Sequence, residues 1–413
     1  MRFTQDDIKV NNGSSVDGIL IFCTLVLTAI GLASIYSATY DAGSSVYFQR
    51  QLIWAVLGTI GLVTMLFVSP RTIETVAIII HIIILCILAV VPFVGKTVAG
   101  TTAWIDLGYF NFQPSEVAKI TTILVLALYL SKHNASVRSF KTLATAGLIV
   151  AIPMGLVLLQ ADVGTSLIFF LMYIPVVFWA GASPFIVIVL TAPFIVGLAA
   201  LIGTSALLVA LGILLVALIL LRENGFASAV VFGFNSAIAV SIQVLYDRLA
   251  PHQQSRIANF IEPGSDPLGV GYNVIQSKVA IGSGGLTGKG FLNGTQTQLN
   301  FIPAQWTDFI FCVPGEEFGF IGASIVLVLL GIVFIRGIRI ASIVKSKFAS
   351  LVAIGFIGIL FFHTVINIGM TVGLTPVIGI PLPFLSYGGS ALFSKLIMVG
   401  LLSAFYANRK EYT

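Results

Sequence analysis

An all-α bundle that crosses a membrane about twelve times, with one large loop on its outer side, is the fold class this sequence predicts. Three observations carry it. Hydrophobic residues make up 58% of the chain and charged residues 9%, and the mean hydropathy is +1.05, whereas soluble domains hold about 25% charged residues. Apolar runs of about 20 residues, the length that spans a hydrocarbon core, recur about twelve times. Lys and Arg gather on alternate connections between those runs, as they do in short cytoplasmic loops.

In order, the runs cover roughly 18–37, 51–69, 72–94, 115–131, 143–160, 164–182, 183–202, 204–221, 226–245, 319–338, 350–373 and 388–407. A membrane β-barrel would instead show alternating segments of about ten residues. The first run follows Asp6, Asp7 and Asp17 with no net positive segment, so it reads as a retained span and not as a cleaved signal. With the N-terminus inside, Arg2, Lys9, Arg71, Lys132, Arg138, Lys141, Arg222, Arg336, Arg339, Lys345, Lys347, Arg409 and Lys410 fall on the cytoplasmic side. Arg50 and Lys96 fall in short outer loops. Both termini then lie in the cytoplasm, and the long segment 246–318 lies outside with Arg248, Arg256, Lys278 and Lys289.

The chain reads as a single integral membrane domain over 1–413. Its net charge of +5 suits cytoplasmic loops facing anionic lipid and calls for no nucleic acid. Cys23, Cys86 and Cys312 form no CxxC pair, and the four histidines form no HExxH pair, so neither a disulfide framework nor a zinc hydrolase is indicated.

Segment 246–318 concentrates Gly, Pro and polar residues that a lipid-facing helix would not tolerate. Its "GSGGLTGKG" run is either a turn-rich connection or a cradle for a lipid pyrophosphate. The Walker pattern fails, because Ser283 stands where Gly is required and Gly290 where Ser or Thr is. Asp308, in "PAQWTDFIF", is a carboxylate among apolar and aromatic neighbours. Within the spans, Glu116 and Lys119 stand three apart on one helical face, either as a structural ion pair or as part of a polar cavity. Asp162 suits the cap of the helix starting near Gly164. His363 and Asn367, four apart, are expected to satisfy each other or a backbone carbonyl. Ser386 and Tyr387, in "PLPFLSYGGS", are expected to shape a rim.

Five blocks in order, "WIDLGYFNFQPSEVAKI" (104–120), "QADVGTSLIFF" (160–170), "DPLGVGYNVIQSKVAIGSGGLTGKGFLNGTQTQLNFIP" (266–303), "TDFIF" (307–311) and "GLTPVIGIPLPFLSYGGS" (373–390), resemble the SEDS family of polytopic peptidoglycan glycosyltransferases. The string "QSKVAIGSGGL" followed by "GTQTQLNFIP" resembles the RodA, or cell-elongation, branch more than the FtsW, or division, branch. Family members typically have ten spans. The surplus here falls in 183–245, where three apolar stretches replace the usual one, so this chain is a SEDS fold plus two extra helices. Two positions depart from the family pattern: Ala103 where Arg often precedes the Trp of "WIDLG", and Trp306 where His often precedes "TDFIF". Lys395 is also unusual in the last span, and is expected to snorkel or to face the added helices.

The resemblance implies an inverting transfer in which lipid II is polymerised into glycan strands and undecaprenyl pyrophosphate is released, serving cell elongation and shape. Asp308 matches the acidic residue on which family activity depends. It would serve as the general base for the acceptor hydroxyl, or would hold a divalent cation, Mg or Mn, against the leaving pyrophosphate. No organic cofactor is expected. The candidate substrate-binding residues are Arg50, Lys119, Lys278 and Lys289 for the pyrophosphate, since charge-assisted bonds to phosphate are strong, with Glu116 and Asp162 lining the same polar cavity. The resemblance also implies a class B penicillin-binding protein as partner, a bacterial inner (plasma) membrane location and an extracytoplasmic active site. The other classes to weigh are a lipid II flippase, whose intramembrane charges would serve transport, and a non-catalytic scaffold, which would leave Asp308 without a task.

Overall fold

The computed structural model describes residues 16–40, 45–98, 100–106, 108, 110–132, 137, 139–222, 224–246, 254, 270–299, 301–303 and 305–409. The readings made of Arg2, Lys9, Arg138, Arg248, Arg256 and Lys410 lie outside these residues. Twelve long helices account for the twelve apolar runs. They are α1 (Gly18–Thr39), α2 (Ser45–Leu66), α3 (Pro70–Val94), α4 (Pro114–Ser131), α5 (Phe140–Leu159), α6 (Val163–Trp179), α7 (Pro184–Ile202), α8 (Thr204–Leu221) and α9 (Gly225–Tyr246). After segment 246–318 come α13 (Gly319–Ile343), α14 (Lys347–Val372) and α15 (Gly389–Ala407). Eleven of these are long and apolar enough to cross a membrane, and α6 is a shorter apolar helix. Shorter helices α10 (Val270–Ser283), α11 (Thr295–Gln298) and α12 (Cys312–Glu317) lie between α9 and α13.

Helices α4, α14 and α15 are the most deeply buried among the candidate spans. The α2–α15 contact is close because glycines on one helix receive large side chains or backbone of the other: Gly58 and Gly61 of α2 face Leu396 and Ile397. A Cβ on Gly400 would stand 2.6 Å from the Leu62 carbonyl oxygen, so this crossing admits only glycine there. Helices α7–α9 bury a separate core around Val196, Ala200, Leu214 and Leu218, and meet the main bundle chiefly through α6. The Phe170 and Phe194 rings stack across that joint at 4.4 Å.

Two features differ from the helical reading. Residues 96–112 form a small antiparallel sheet of β1 (Lys96–Val98), β2 (Thr101–Asp106) and β3 (Asn111–Phe112), in that order, with Thr97 opposite Thr102 and Ile105 opposite Phe112. Segments this short, rich in β-branched residues beside a turn, carry no apolar run to reveal them. Ala103, fully buried in β2, leaves no room there for the family's usual Arg. Helix α2 begins at Ser45, well before the run starting at 51, because Gln49 and Arg50 break the apolar run without ending the helix; Arg50 therefore lies in α2 and not in a loop. At the other end of the bundle, Arg336 of α13 pairs with Asp17, the N-cap of α1, at 2.6 Å.

Candidate active site

Asp308 lies in a turn immediately before α12. The turn is anchored from below: Phe309 and Ile310 are buried, and Phe309 shares a small apolar core with Ala280, Ile302 and Cys312. Its backbone is held from the side by three consecutive bonds. The Tyr387 amide donates to the Trp306 carbonyl at 2.8 Å, the Ser386 hydroxyl to the Thr307 carbonyl at 2.6 Å, and the Asn367 carboxamide to the Asp308 carbonyl at 2.8 Å. The Asp308 side chain is half-buried, and this desolvation pushes its carboxyl up to about 6. It faces the 376–382 loop, where Gly379 adopts φ +70° and a Cβ would stand 3.7 Å from Asp308 Oδ2.

Aromatic rings and one cation surround the turn. Trp306 stacks on Tyr47 at 5.1 Å, and Tyr47 meets Tyr387 edge-on at 5.2 Å. Trp306 therefore serves packing, and its carbonyl serves the turn. Arg50 of α2 hydrogen-bonds the Tyr387 side chain, while its Nε is buried with no partner. Burial raises the Tyr387 hydroxyl, and Arg50 partly offsets the rise. One residue on, Gln51 is buried and grips the loop twice, accepting from the Gly388 amide at 3.1 Å and donating to the Ser386 carbonyl at 3.2 Å.

Beneath the loop lies a sealed charge cluster. Lys119 Nζ donates to Glu116 Oε1 at 2.7 Å and to His363 Nε2 at 3.1 Å. Because Nε2 accepts from an ammonium, His363 is the neutral tautomer with its proton on Nδ1, which donates to the Pro381 carbonyl at 3.2 Å. The second Glu116 oxygen accepts from Ser394 at 3.0 Å and lies 3.7 Å from Lys395 Nζ. Lys395 thus neither snorkels nor faces the added helices. An ammonium deep in the bundle needs a counter-charge, and Glu116 is the one within reach. Glu116, Lys119, His363 and Lys395 are all at most 2% exposed. The cluster is joined to the 376–382 loop through the Pro381 carbonyl. His363 and Asn367 do not bond each other; each holds backbone carbonyls, the second of Asn367 being that of Ile380 at 2.8 Å.

The remaining candidates are engaged differently. Asp162 caps α6, accepting from the Thr165 amide at 2.9 Å, and also accepts from Gln113 at 3.2 Å just before α4. Lys289 donates to Glu316 and to Thr295, each at 2.7 Å. Burial alone would raise Glu316, but its bonds to Lys289, Thr297 and the amides of Gln296 and Thr297 hold it below the usual carboxylate range. Burial raises neighbouring Glu317, which accepts from the Ser37 hydroxyl of α1 and the Leu292 amide. The glycine run is a close-packed joint: Gly288 has φ +82°, its Cβ would stand 2.1 Å from the Glu317 carbonyl oxygen, and the amides of 288–290 all donate to protein carbonyls. Lys278 is exposed beside the Gly373 C-cap of α14 and makes no ion pair among the described residues. The structure therefore brings Asp308 and Arg50 to one rim and puts Glu116 and Lys119 beneath it.

Among the described residues no three His, Cys, Asp or Glu side chains converge as a metal site. A magnesium ion commonly takes one or two carboxylates plus phosphate oxygens and water, so Asp308 alone fits a cation shared with a pyrophosphate.

The family model for cell cycle proteins of the FtsW, RodA and SpoVE type matches residues 17–205 and 183–411, two segments that overlap across α7. Peptidoglycan glycosyltransferase RodA of Treponema pallidum (strain Nichols) is 33% identical, covering 97% of this chain and 100% of the relative. Peptidoglycan glycosyltransferase MrdB of Escherichia coli (strain K12) is 34% identical, covering 96% and 94%. Stage V sporulation protein E of Bacillus subtilis (strain 168) is also 34% identical, covering 94% and 96%. Among solved structures, a chain from a study of how polymerization and crosslinking are coordinated in a peptidoglycan synthase complex superposes with a TM-score of 0.74 at 27% identity, covering 96% of this chain and 99% of that one. Rod shape determining protein RodA of Thermus thermophilus gives a TM-score of 0.65 at 26% identity, covering 97% and 99%. A full-length motif order, a family match across nearly the whole chain and relatives above 30% identity lead to one assignment: this chain belongs to the SEDS family, the FtsW/RodA/SpoVE group of polytopic membrane proteins.

Proposed function

We propose that this chain is a peptidoglycan glycosyltransferase that polymerises lipid II at the outer membrane face for cell elongation, with Asp308 as general base. The observation that carries the reading is a single carboxylate, half-buried beside apolar groups, whose burial pushes it up to about 6. Such a group is still ionised at neutral pH and is a stronger base than a free aspartate, which suits proton abstraction in a transition state.

In the reaction, the 4-hydroxyl of the acceptor GlcNAc attacks the anomeric carbon of the donor MurNAc. As the new glycosidic C–O bond forms, the bond to undecaprenyl pyrophosphate breaks from the opposite face and configuration inverts. The hydroxyl proton passes to Asp308, and the pyrophosphate takes the bonding electrons. It leaves without a protonating acid. Arg50, with its buried and unpartnered Nε, is suited to receive a phosphate oxygen, and Lys278 offers a second exposed cation. A divalent cation, if present, would neutralise the departing charge. Glu116 and Lys119 act from beneath as supports of the 381–388 loop.

A single-span class B penicillin-binding protein is the proposed partner, consistent with the crosslinking named for the structural relative. The cytoplasmic placement of both termini rests on the distribution of Lys and Arg. The test is purified protein with lipid II, with and without the transpeptidase. Glycan product that disappears in Asp308→Asn is the expected result. Movement of lipid II between leaflets without polymer would replace the enzyme with a transporter.

A further inference from the structure

We infer that Ser386 and Asn367 are positioning residues for Asp308, acting on its main chain and not on sugar or pyrophosphate; the inference rests on the reading of Asp308 as the base. Residues 305–311 form turns, so no regular element fixes the direction of the Asp308 carboxylate. What fixes it is the set of three donors on successive carbonyls at 306, 307 and 308. Two of those donors are side chains that are themselves fully determined.

The Ser386 hydroxyl accepts from the Leu382 amide at 2.7 Å and donates to the Thr307 carbonyl at 2.6 Å, so its proton has one direction. Asn367 is fully buried and sends both Nδ2 protons to carbonyls, one on Asp308 and one on Ile380, each at 2.8 Å. A carboxamide turned the other way would set oxygen against two oxygens, so its orientation is also fixed. Ile380 follows Gly379, the residue that faces the carboxylate. Asn367 therefore sets the distance between the catalytic turn and the loop opposite it, and Ser386 ties the same two segments one residue away. Misplacing a reacting group by about 1 Å costs on the order of 10²-fold in rate. Substrate binding through Arg50 would be untouched, so the loss belongs in kcat and not in KM.

The experiment measures kcat and KM for lipid II polymerisation by the full chain, with unfolding curves, for wild type, Ser386→Ala, Ser386→Thr, Asn367→Asp, Asp308→Asn and the Asp308→Asn/Ser386→Ala double variant. Ser386→Ala is expected to lower kcat on the order of 10²-fold with KM within about twofold. Ser386→Thr, which keeps a hydroxyl, restores most of it. Once the carboxylate is gone its position is irrelevant, so adding Ser386→Ala to Asp308→Asn removes no further residual rate over a long incubation. A multiplicative loss in the double variant, or a raised KM at unchanged kcat, overturns the inference. Should Ser386→Ala not fold, Asn367→Asp carries the test, because it keeps the shape and leaves at most one donor, the acid proton, for two carbonyls; a folded Asn367→Asp with full kcat overturns the inference. Near-normal polymer from Asp308→Asn is a separate result, sinking the base assignment itself whatever Ser386 does.

Discussion

Replacing Asp308 by Asn should make the protein more stable while abolishing its activity. In the folded chain burial pushes this carboxyl from the ordinary 3.8 up to about 6. The sign follows from linkage: the folded state holds the proton more tightly than the unfolded chain, so folding is favoured below about pH 4 and that contribution is lost as pH rises through about 6. At 1.36 kcal/mol per pH unit, and discounting for the water that a half-buried group still meets, the charged side chain costs the native state on the order of 1–3 kcal/mol at pH 7.5. Asp308→Asn keeps the shape and removes the charge. Its melting temperature should exceed that of wild type at pH 7.5, and the two should converge near pH 4, while glycan synthesis falls by about 10²–10⁴-fold as for loss of a general base. Thermal unfolding of detergent-purified protein from pH 4 to 8, beside lipid II polymerisation, makes the comparison. An Asn variant less stable than wild type at pH 7.5 would show that Asp308 is a satisfied structural carboxylate and refute the argument.

Wild-type polymerisation should rise with pH through about 6 as Asp308 ionises; a pH–rate profile flat between 5 and 7.5 counts against a base with that environment. Lys119→Met removes bonds of 2.7 and 3.1 Å and leaves Glu116 with Ser394 and the more distant Lys395. Breaking a buried pair costs about 3–5 kcal/mol, so a lower melting temperature is expected together with lost activity, whereas an unchanged melting curve would mean that Lys395 takes over the counter-charge. A cysteine at exposed Asn293 should react with an impermeant thiol reagent from outside, and one at exposed Lys132 should not; reversed labelling would invert the orientation.

The spans were legible because hydrocarbon thickness forces apolar runs of a set length. Their ends were legible only where the flanks meet water. Helix α2 starts earlier than its hydropathy suggests because Gln49 and Arg50 interrupt the apolar run in sequence while the helix continues through them. Helix α13 likewise continues past Arg339 to Ile343, and Asp17 neutralises the Arg336 guanidinium on the same stretch. Asp308 was visible as a lone acid in a motif. Asn367 was visible only as a polar residue in need of a partner, since its partners lie 59 and 13 residues away and are backbone carbonyls, which leave no mark on sequence. The glycine run has two sequence readings, and packing favours the turn-rich connection: the amides of 288–290 are donated to protein carbonyls, and Gly284 and Gly288 admit the 315–318 backbone.

The buried charges explain how one carboxylate can be held at a membrane surface without a rigid element beneath it. Lys119 and Lys395 place two ammonium groups around Glu116, with His363 held neutral by the bonds it makes. Desolvated charges interact strongly and tolerate little displacement, so this cluster is a stiff foundation. Its stiffness passes through the Pro381 carbonyl into the loop, and from the loop through Asn367, Ser386 and Tyr387 into the turn at 306–308. All the elements in that chain, α4, α14, α15 and the outer segment, belong to the main core, whereas α7–α9 bury their own core and touch the bundle chiefly at α6. A single polar substitution in α4 or α14 thus reaches the carboxylate through three or four hydrogen bonds, whereas one within α7–α9 does not share that route.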